Sequence, residues 1–201
     1  DNLSLTDTSK FKLGPKMSDS TPDASGELVP GRSCDGCTMC CKLLDIDVLE
    51  KPRGQWCPHC DRKRGCKIYD GRPEPCRDFY CGYRRIKDLD ERWKPSVSKI
   101  LINYEASHDR IALHIDPDRP DAWREEPFYS TIKDWARTAE AEGGTVVIWA
   151  GRNVTVVSPK RDKNLGAIRD DQFILPVHAH TAQGLQLDYI VVEADDPRLK
   201  R

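Results

Sequence analysis

Nine cysteines lie between positions 34 and 81 of this 201-residue chain, and none follows in the 120 residues after them. That segregation constrains the fold more than any other feature. Residues 34–81 are dense in Gly, Pro and charge and thin in Leu and Phe. Such a segment cannot bury enough apolar surface for a core of its own and needs a staple. The remainder of the chain has ordinary composition and must be held by different physics.

The spacing identifies the staple. It runs Cys34-x2-Cys37-x2-Cys40-Cys41, then Cys57-x2-Cys60-x5-Cys66-x9-Cys76-x4-Cys81. A C-x2-C turn lets two sulfurs face one ion at the ~2.3 Å of zinc–thiolate bonding. Three cysteines at x2 spacing also match the run that wraps a cubane iron–sulfur cluster, with a fourth ligand arriving from elsewhere. All nine are candidate metal ligands: Cys34, Cys37, Cys40, Cys41, Cys57, Cys60, Cys66, Cys76 and Cys81. Soft thiolates suit either metal, so softness does not choose between them. Two four-thiolate zinc sites use the donors more fully than one cluster, which strands thiols beside a redox metal and invites oxidation. Zinc is therefore favoured and one iron–sulfur cluster is the alternative.

Three other uses of the cysteines fit less well. A disulfide framework needs an even count and an oxidising compartment. Here the count is odd, Cys40 and Cys41 are adjacent, and the first 33 residues lack the apolar core of a signal peptide. Thiols packed as small hydrophobes would not be this dense in so polar a segment. A redox dithiol at Cys57-Pro58-His59-Cys60 would normally open a helix after a strand, whereas this one sits among charged loop residues.

The text around these cysteines resembles the YkgJ-type cysteine-cluster family, the zinc- or iron-chelating CxxCxxCC domain of bacteria. The matching residues are Cys34-Asp-Gly-Cys37-Thr-Met-Cys40-Cys41, Cys57-Pro58, and Gly65-Cys66-Lys-Ile68-Tyr69-Asp-Gly-Arg72-Pro73-Glu-Pro-Cys76-Arg77-Asp-Phe79. The last stretch is the specific part, because it sets two cysteines in an apolar and basic frame. The resemblance implies Cys37, Cys40, Cys41, Cys57, Cys66 and Cys76 as ligands most directly, with Cys34 from the fuller motif. Cys60 and Cys81 would complete a second site or stand as spare thiols. A lysine methylase of flagellin is similar in this motif and uses an iron–sulfur centre, which keeps an iron–sulfur enzyme of redox or group-transfer type as the alternative function. The similarity covers about a quarter of the chain.

Beyond the cysteines the pattern changes. Residues 1–30 read as a disordered tail or tag, 31–95 as a cysteine-rich metal-binding module, and 96–201 as an α+β domain. Within the module, Leu44–Val48 alternates like a short strand, and Cys76–Ile86 reads as one short helix. Ile100, Ile102 and Tyr104 alternate, as do Ile111, Leu113 and Ile115, with a turn between them: a hairpin signal. Phe128, Ile132, Trp135, Ala136 and Ala139 recur at helical spacing after Pro127, and Gly143-Gly144 ends that helix. Apolar runs at Thr145–Ala150, Val154–Ser158, Phe173–Val177 and Leu187–Val192 read as further strands. The expected fold class is α+β: a metal-stapled cysteine-rich module packed on a small, mainly antiparallel sheet with one main helix.

Charge and composition bound the partners. Net charge is −1, which gives no global push toward nucleic acid or a membrane, and no apolar run reaches the ~18–20 residues of a membrane helix. Residues 51–87 nonetheless hold eleven Lys or Arg against four Asp or Glu. Thiolates need counter-charge, and Arg72 and Arg77 flank the Cys66–Cys76 segment to supply it. A basic zinc module binding nucleic acid is the less favoured use of that charge, since no recognition helix or aromatic–basic stripe accompanies it. An unidentified protein or small molecule is the expected partner, and a cytoplasmic, reducing setting is the expected home. Trp56, Tyr69 and Phe79 should pack around the centre. His178 and His180 share one strand face without a third ligand in view. The Asp116–Asp121 loop and Trp123–Glu126 read as a connector.

Overall fold

A computed structural model of the chain describes residues 28–181 and 184–200. Most of the expected tail therefore lies outside the described residues. In chain order the helices are α1 (Cys40–Leu43), α2 (Glu74–Arg77), α3 (Gly82–Arg85), α4 (Pro95–Ser98) and α5 (Phe128–Glu142). The strands are β1 (Cys60–Asp61), β2 (Gly65–Cys66), β3 (Ile100–Glu105), β4 (Arg110–Ile115), β5 (Thr145–Ala150), β6 (Asn153–Val157), β7 (Lys163–Ala167), β8 (Gln172–Thr181) and β9 (Gly184–Glu193). The content is mixed α+β with one main helix, as the alternating and helical periods predict.

The central sheet is five-stranded, in the order β3-β4-β5-β6-β7. The β3–β4 hairpin is antiparallel and pairs Ile100 with Ile115 through to Glu105 with Arg110. β5 then lies parallel to β4, Arg110 opposite Thr145, because α5 carries the chain back across the sheet between them. β6 and β7 complete the sheet as antiparallel neighbours, with a bulge between Val154 and Thr155. One parallel pair among antiparallel ones is the product of that single helical crossover.

Alternation puts a core on each face. On one face Ile111, Leu113, Ile115, Val146 and Ile148 meet Phe128, Ile132, Trp135, Ala136 and Ala139 of α5. Tyr83, Ile86, Leu89 and Trp93, which precede the expected boundary near residue 95, belong to the same cluster. Trp93 meets Phe128 edge-on, with ring centroids 4.8 Å apart. Gly143 stops α5 with φ of 84°, a left-handed cap that lets the Gly144 N–H donate to the Ala139 carbonyl at 2.7 Å. Gly82 is required by close approach: a Cβ there would lie 2.8 Å from the Ile102 side chain, so α3 can seat on β3 only without one.

The opposite face is covered twice. Val147, Val154, Val156, Ile168 and Tyr189 form a second cluster, with Ile174 and Val191 of the β8–β9 hairpin against it. That hairpin keeps one register from Gln172–Glu193 to Thr181–Gly184 and is longer than the two apolar runs suggest. Over β3, Met39 and Leu43 of the cysteine-rich segment cover Leu101.

Three local expectations need correction. Leu44–Val48 is not a strand: only Ile46 bridges, to Lys51, and residues 47–49 close into a 3-10 turn with Val48 64% exposed. The alternation is present, but no neighbouring strand is available to pair with it. The helix over 76–86 is two single turns, α2 and α3, because Cys81 is extended at ψ 163° and packs with Phe79 toward Met39 and Leu101. Finally, β7 and the two-residue β1–β2 hairpin carry too little apolar pattern to be seen in the sequence.

Candidate metal centre

The cysteines are delivered by turns rather than long elements. The Cys37 N–H donates to the Cys34 carbonyl at 2.9 Å, closing the first C-x2-C turn. Cys40 and Cys41 open α1. The Cys57 N–H donates to the Cys41 carbonyl at 2.9 Å, and the Cys60 N–H to the Cys57 carbonyl at 3.0 Å, which ties the second C-x2-C turn to the first segment. Cys60 and Cys66 face each other across the β1–β2 hairpin. Cys76 rides on α2, and Cys81 caps α3. All nine are free thiols.

Their electrostatics resolve two neighbouring groups. Cys81 feels the sulfurs of Cys34 and Cys37, and burial first and then these neighbours push its thiol up to about 12. Cys37, raised by burial, feels Cys40 and Cys34. The second group centres on Cys41, whose thiol lies against both Cys40 and Cys60. By donating to Cys40, Cys41 brings that thiol down to about 7, while its own is pushed up. Cys60 and Cys76 are each raised by burial and feel Cys40, Cys57 and Cys66. Cys40 is the member common to both groups.

Lys51 is the cation that sequence inspection missed. It is 3% exposed, donates Nζ to the carbonyls of Lys42 and Leu44, and sits within the field of Cys41, Cys57 and Cys40. Burial lowers its pKa, and the nearby sulfurs oppose that fall. Nothing in the sequence separates it from the other basic residues of 51–87. Arg72 is close enough to act on Cys66 and Cys76 as expected, with its guanidinium 3.9 Å over the Tyr69 ring.

The expected aromatic shell is partial. Phe79 packs beside Cys37, Cys40 and Cys81. Tyr69 is 58% exposed and serves as a platform for Arg72 instead. Trp56 lies between two cations, Arg62 at 5.0 Å and Lys42 at 5.6 Å. Cys57-Pro58-His59-Cys60 forms a turn into β1 and opens no helix, unlike a thioredoxin-type dithiol. His178 and His180 are exposed at alternate positions of β8. In the Asp116–Asp121 connector, Asp116 is buried and, with Asp118 at 2.6 Å, receives the Lys42 ammonium.

Among the described residues, no group of three or more His, Cys, Asp or Glu side chains is arranged to hold a metal ion. The donor chemistry nonetheless fits a soft metal: thiols from distant segments adjoin one another, unbridged, beside buried positive charge. Among the described residues no helix is long and apolar enough to cross a membrane. No protein-family model, curated protein or solved structure matches the chain.

Proposed function

We propose that this protein binds metal through its cysteine thiolates, as two zinc ions held in the two groups described above. Cys34, Cys37, Cys40 and Cys81 would hold one, and four of Cys41, Cys57, Cys60, Cys66 and Cys76 the other, leaving one spare thiol. The observation that supports the reading is that nine free thiols from separate turns act on one another electrostatically, with Cys41 against both Cys40 and Cys60, beside buried Lys51. A bound zinc would supply folding free energy to a segment that has little apolar core. Four thiolates around one zinc carry a net charge of about −2, which Lys51 and Arg72 are placed to offset. Met39, Leu43, Phe79 and Leu101 pack about Cys37, Cys40 and Cys81, while Cys34 stays exposed. Free thiols in this number persist in a reducing compartment, which is the argument for a cytoplasmic setting.

One observation favours a second reading. The first group combines three cysteines at x2 spacing with one distant partner, Cys81, which is the ligand order of a cubane iron–sulfur cluster. An iron–sulfur protein, with redox or group-transfer activity, is therefore the alternative.

Metal analysis of protein purified without oxygen tests both. About two zincs per chain are expected, in a colourless protein. Cys81→Ser should lose about one zinc and keep the other, and Cys57→Ser with Cys76→Ser, which leaves three thiols for the second site, should do the same. Brown protein with about four irons overturns zinc in favour of the cluster. Metal-free protein with all nine thiols reactive overturns both.

A further inference from the structure

Along β4 the side chains alternate across the sheet, so His114 points to the face opposite Leu113 and Ile115. That face is where the cysteine-rich segment lies, and His114 is only 2% exposed. Trp149 is its direct partner on β5. Above them Arg53 lays its guanidinium 4.2 Å over the Trp149 ring and donates Nε and Nη2 to Asp45, at 3.3 and 3.0 Å. These three side chains share an unusual property. Arg53 Nη1, Trp149 Nε1 and both ring nitrogens of His114 are buried and, among the described residues, have no hydrogen-bond partner. Folded proteins pair the large majority of such atoms, so four in neighbouring side chains single out this region.

The patch adjoins a cleft of 810 Å³ lined by the Asp45–Gln55 segment, the β5–β6 turn and residues 168–172. That volume lies in the range of small-molecule sites, ~300–1,000 Å³. Most of its charges are already spent. Lys51 serves backbone carbonyls, Arg152 pairs with Asp170 at 2.7 Å, and Arg169 pairs with Asp171 and Glu193. His114 is held neutral: burial first, and then the Arg53 charge, bring its pKa to about 3. What remains for a ligand in the cleft is therefore the Arg53 Nη1 amino group and the Trp149 indole N–H, both donors.

We propose that this cleft binds a small molecule bearing a single carboxylate, whose oxygens accept from Arg53 and Trp149. Because Arg53 belongs to the cysteine-rich segment, the site rests on the proposed metal-held fold of that segment. A charge-assisted contact to Arg53 gives the affinity, and the indole orients the carboxylate plane. Asp47 and Glu50 also line the cleft and disfavour a dianion, so a carboxylate is bound in preference to phosphate.

The test is nuclear magnetic resonance of the full-length protein, following tryptophan indole N–H signals during titration with acetate, benzoate and, separately, inorganic phosphate. Trp149→Phe identifies the Trp149 signal. The expected result is a saturable shift of that signal with acetate or benzoate, with half-saturation below about 10 mM. Arg53→Gln should weaken binding by about tenfold or more, while the Trp93, Trp123 and Trp135 signals report an unchanged core. No saturable shift with either carboxylate overturns the proposal, as does equal affinity in the Arg53→Gln protein. Tighter binding of phosphate overturns the carboxylate assignment.

Discussion

The two halves of this molecule bury themselves by opposite means. From residue 100 onward the chain hides long apolar side chains: Ile100, Leu101, Ile102, Ile111, Leu113, Ile132 and Ile148 are each at most 2% exposed. Between residues 34 and 81, by contrast, the buried apolar residues are Met39, Leu43, Ile46 and Cys57, and the strands are two residues long. Removing water from aliphatic surface is worth about 25 cal/mol per Å², and the sheet half can live on that term. The cysteine half has little of it, so under the proposed zinc reading its order depends on the metal as well as on what it leans against. The comparison separates a part that carries its own stability from a part that borrows it.

Removing metal is the strongest way to break the comparison. A structural zinc contributes on the order of 10 kcal/mol to the folding of a small module. Under a strong chelator, amide hydrogen exchange in residues 34–81 should become fast, while the amides of β3 to β6 and α5 stay protected. Equal loss of protection in both halves would show that the sheet borrows stability as well.

A smaller effect tests the joint between them. Lys42 leaves the cysteine half to place its ammonium on Asp116, at the end of β4, and on Asp118. Both Lys42 and Asp116 are nearly water-free. Lys42→Met strands a buried carboxylate and should cost about 3 kcal/mol in urea unfolding, whereas adding Asp116→Leu should recover most of that loss. A single variant within about 0.5 kcal/mol of the parent would make the joint a surface pair in effect.

An effect confined to acid pH lies at His114 under the same joint. Its pKa falls from the usual 6.5 to about 3 on folding, through burial and then Arg53. Between those values the unfolded chain holds the extra proton. Stability is therefore complete above about pH 6.5 and declines as pH falls toward about 3, by at most ~1.4 kcal/mol per unit. His114→Phe removes this term, so the stability difference between variant and parent should move in the variant's favour on acidification from about pH 7 to 4. Parallel curves for the two proteins would show that the imidazole is not held neutral.

Much of the sheet half was legible in the residue order. The β3–β4 hairpin, α5 and its Gly143 stop, and β5 and β6 all follow from local periods, because each buries one face and leaves a regular apolar stripe. In the cysteine half the same logic misled. Leu44–Val48 alternates but finds no partner strand, and the pattern after Cys76 breaks at Cys81, where packing toward Met39 and Leu101 outweighs helical continuity. A short segment with few apolar contacts takes its shape from neighbours.

By itself, then, the sequence determined the α+β class, the candidate ligands and their confinement to one segment, since residue type and spacing are local properties. Only the tertiary structure decided that the Cys41 thiol lies against Cys40 and Cys60, that Cys81 feels Cys34 and Cys37, that Lys51 is buried within the field of the sulfurs, and that β5 runs parallel to β4. Only it brought Arg53 over Trp149 and covered His114. Those are relations between residues tens of positions apart, and they are set by which faces must pack together, a condition that no local pattern encodes.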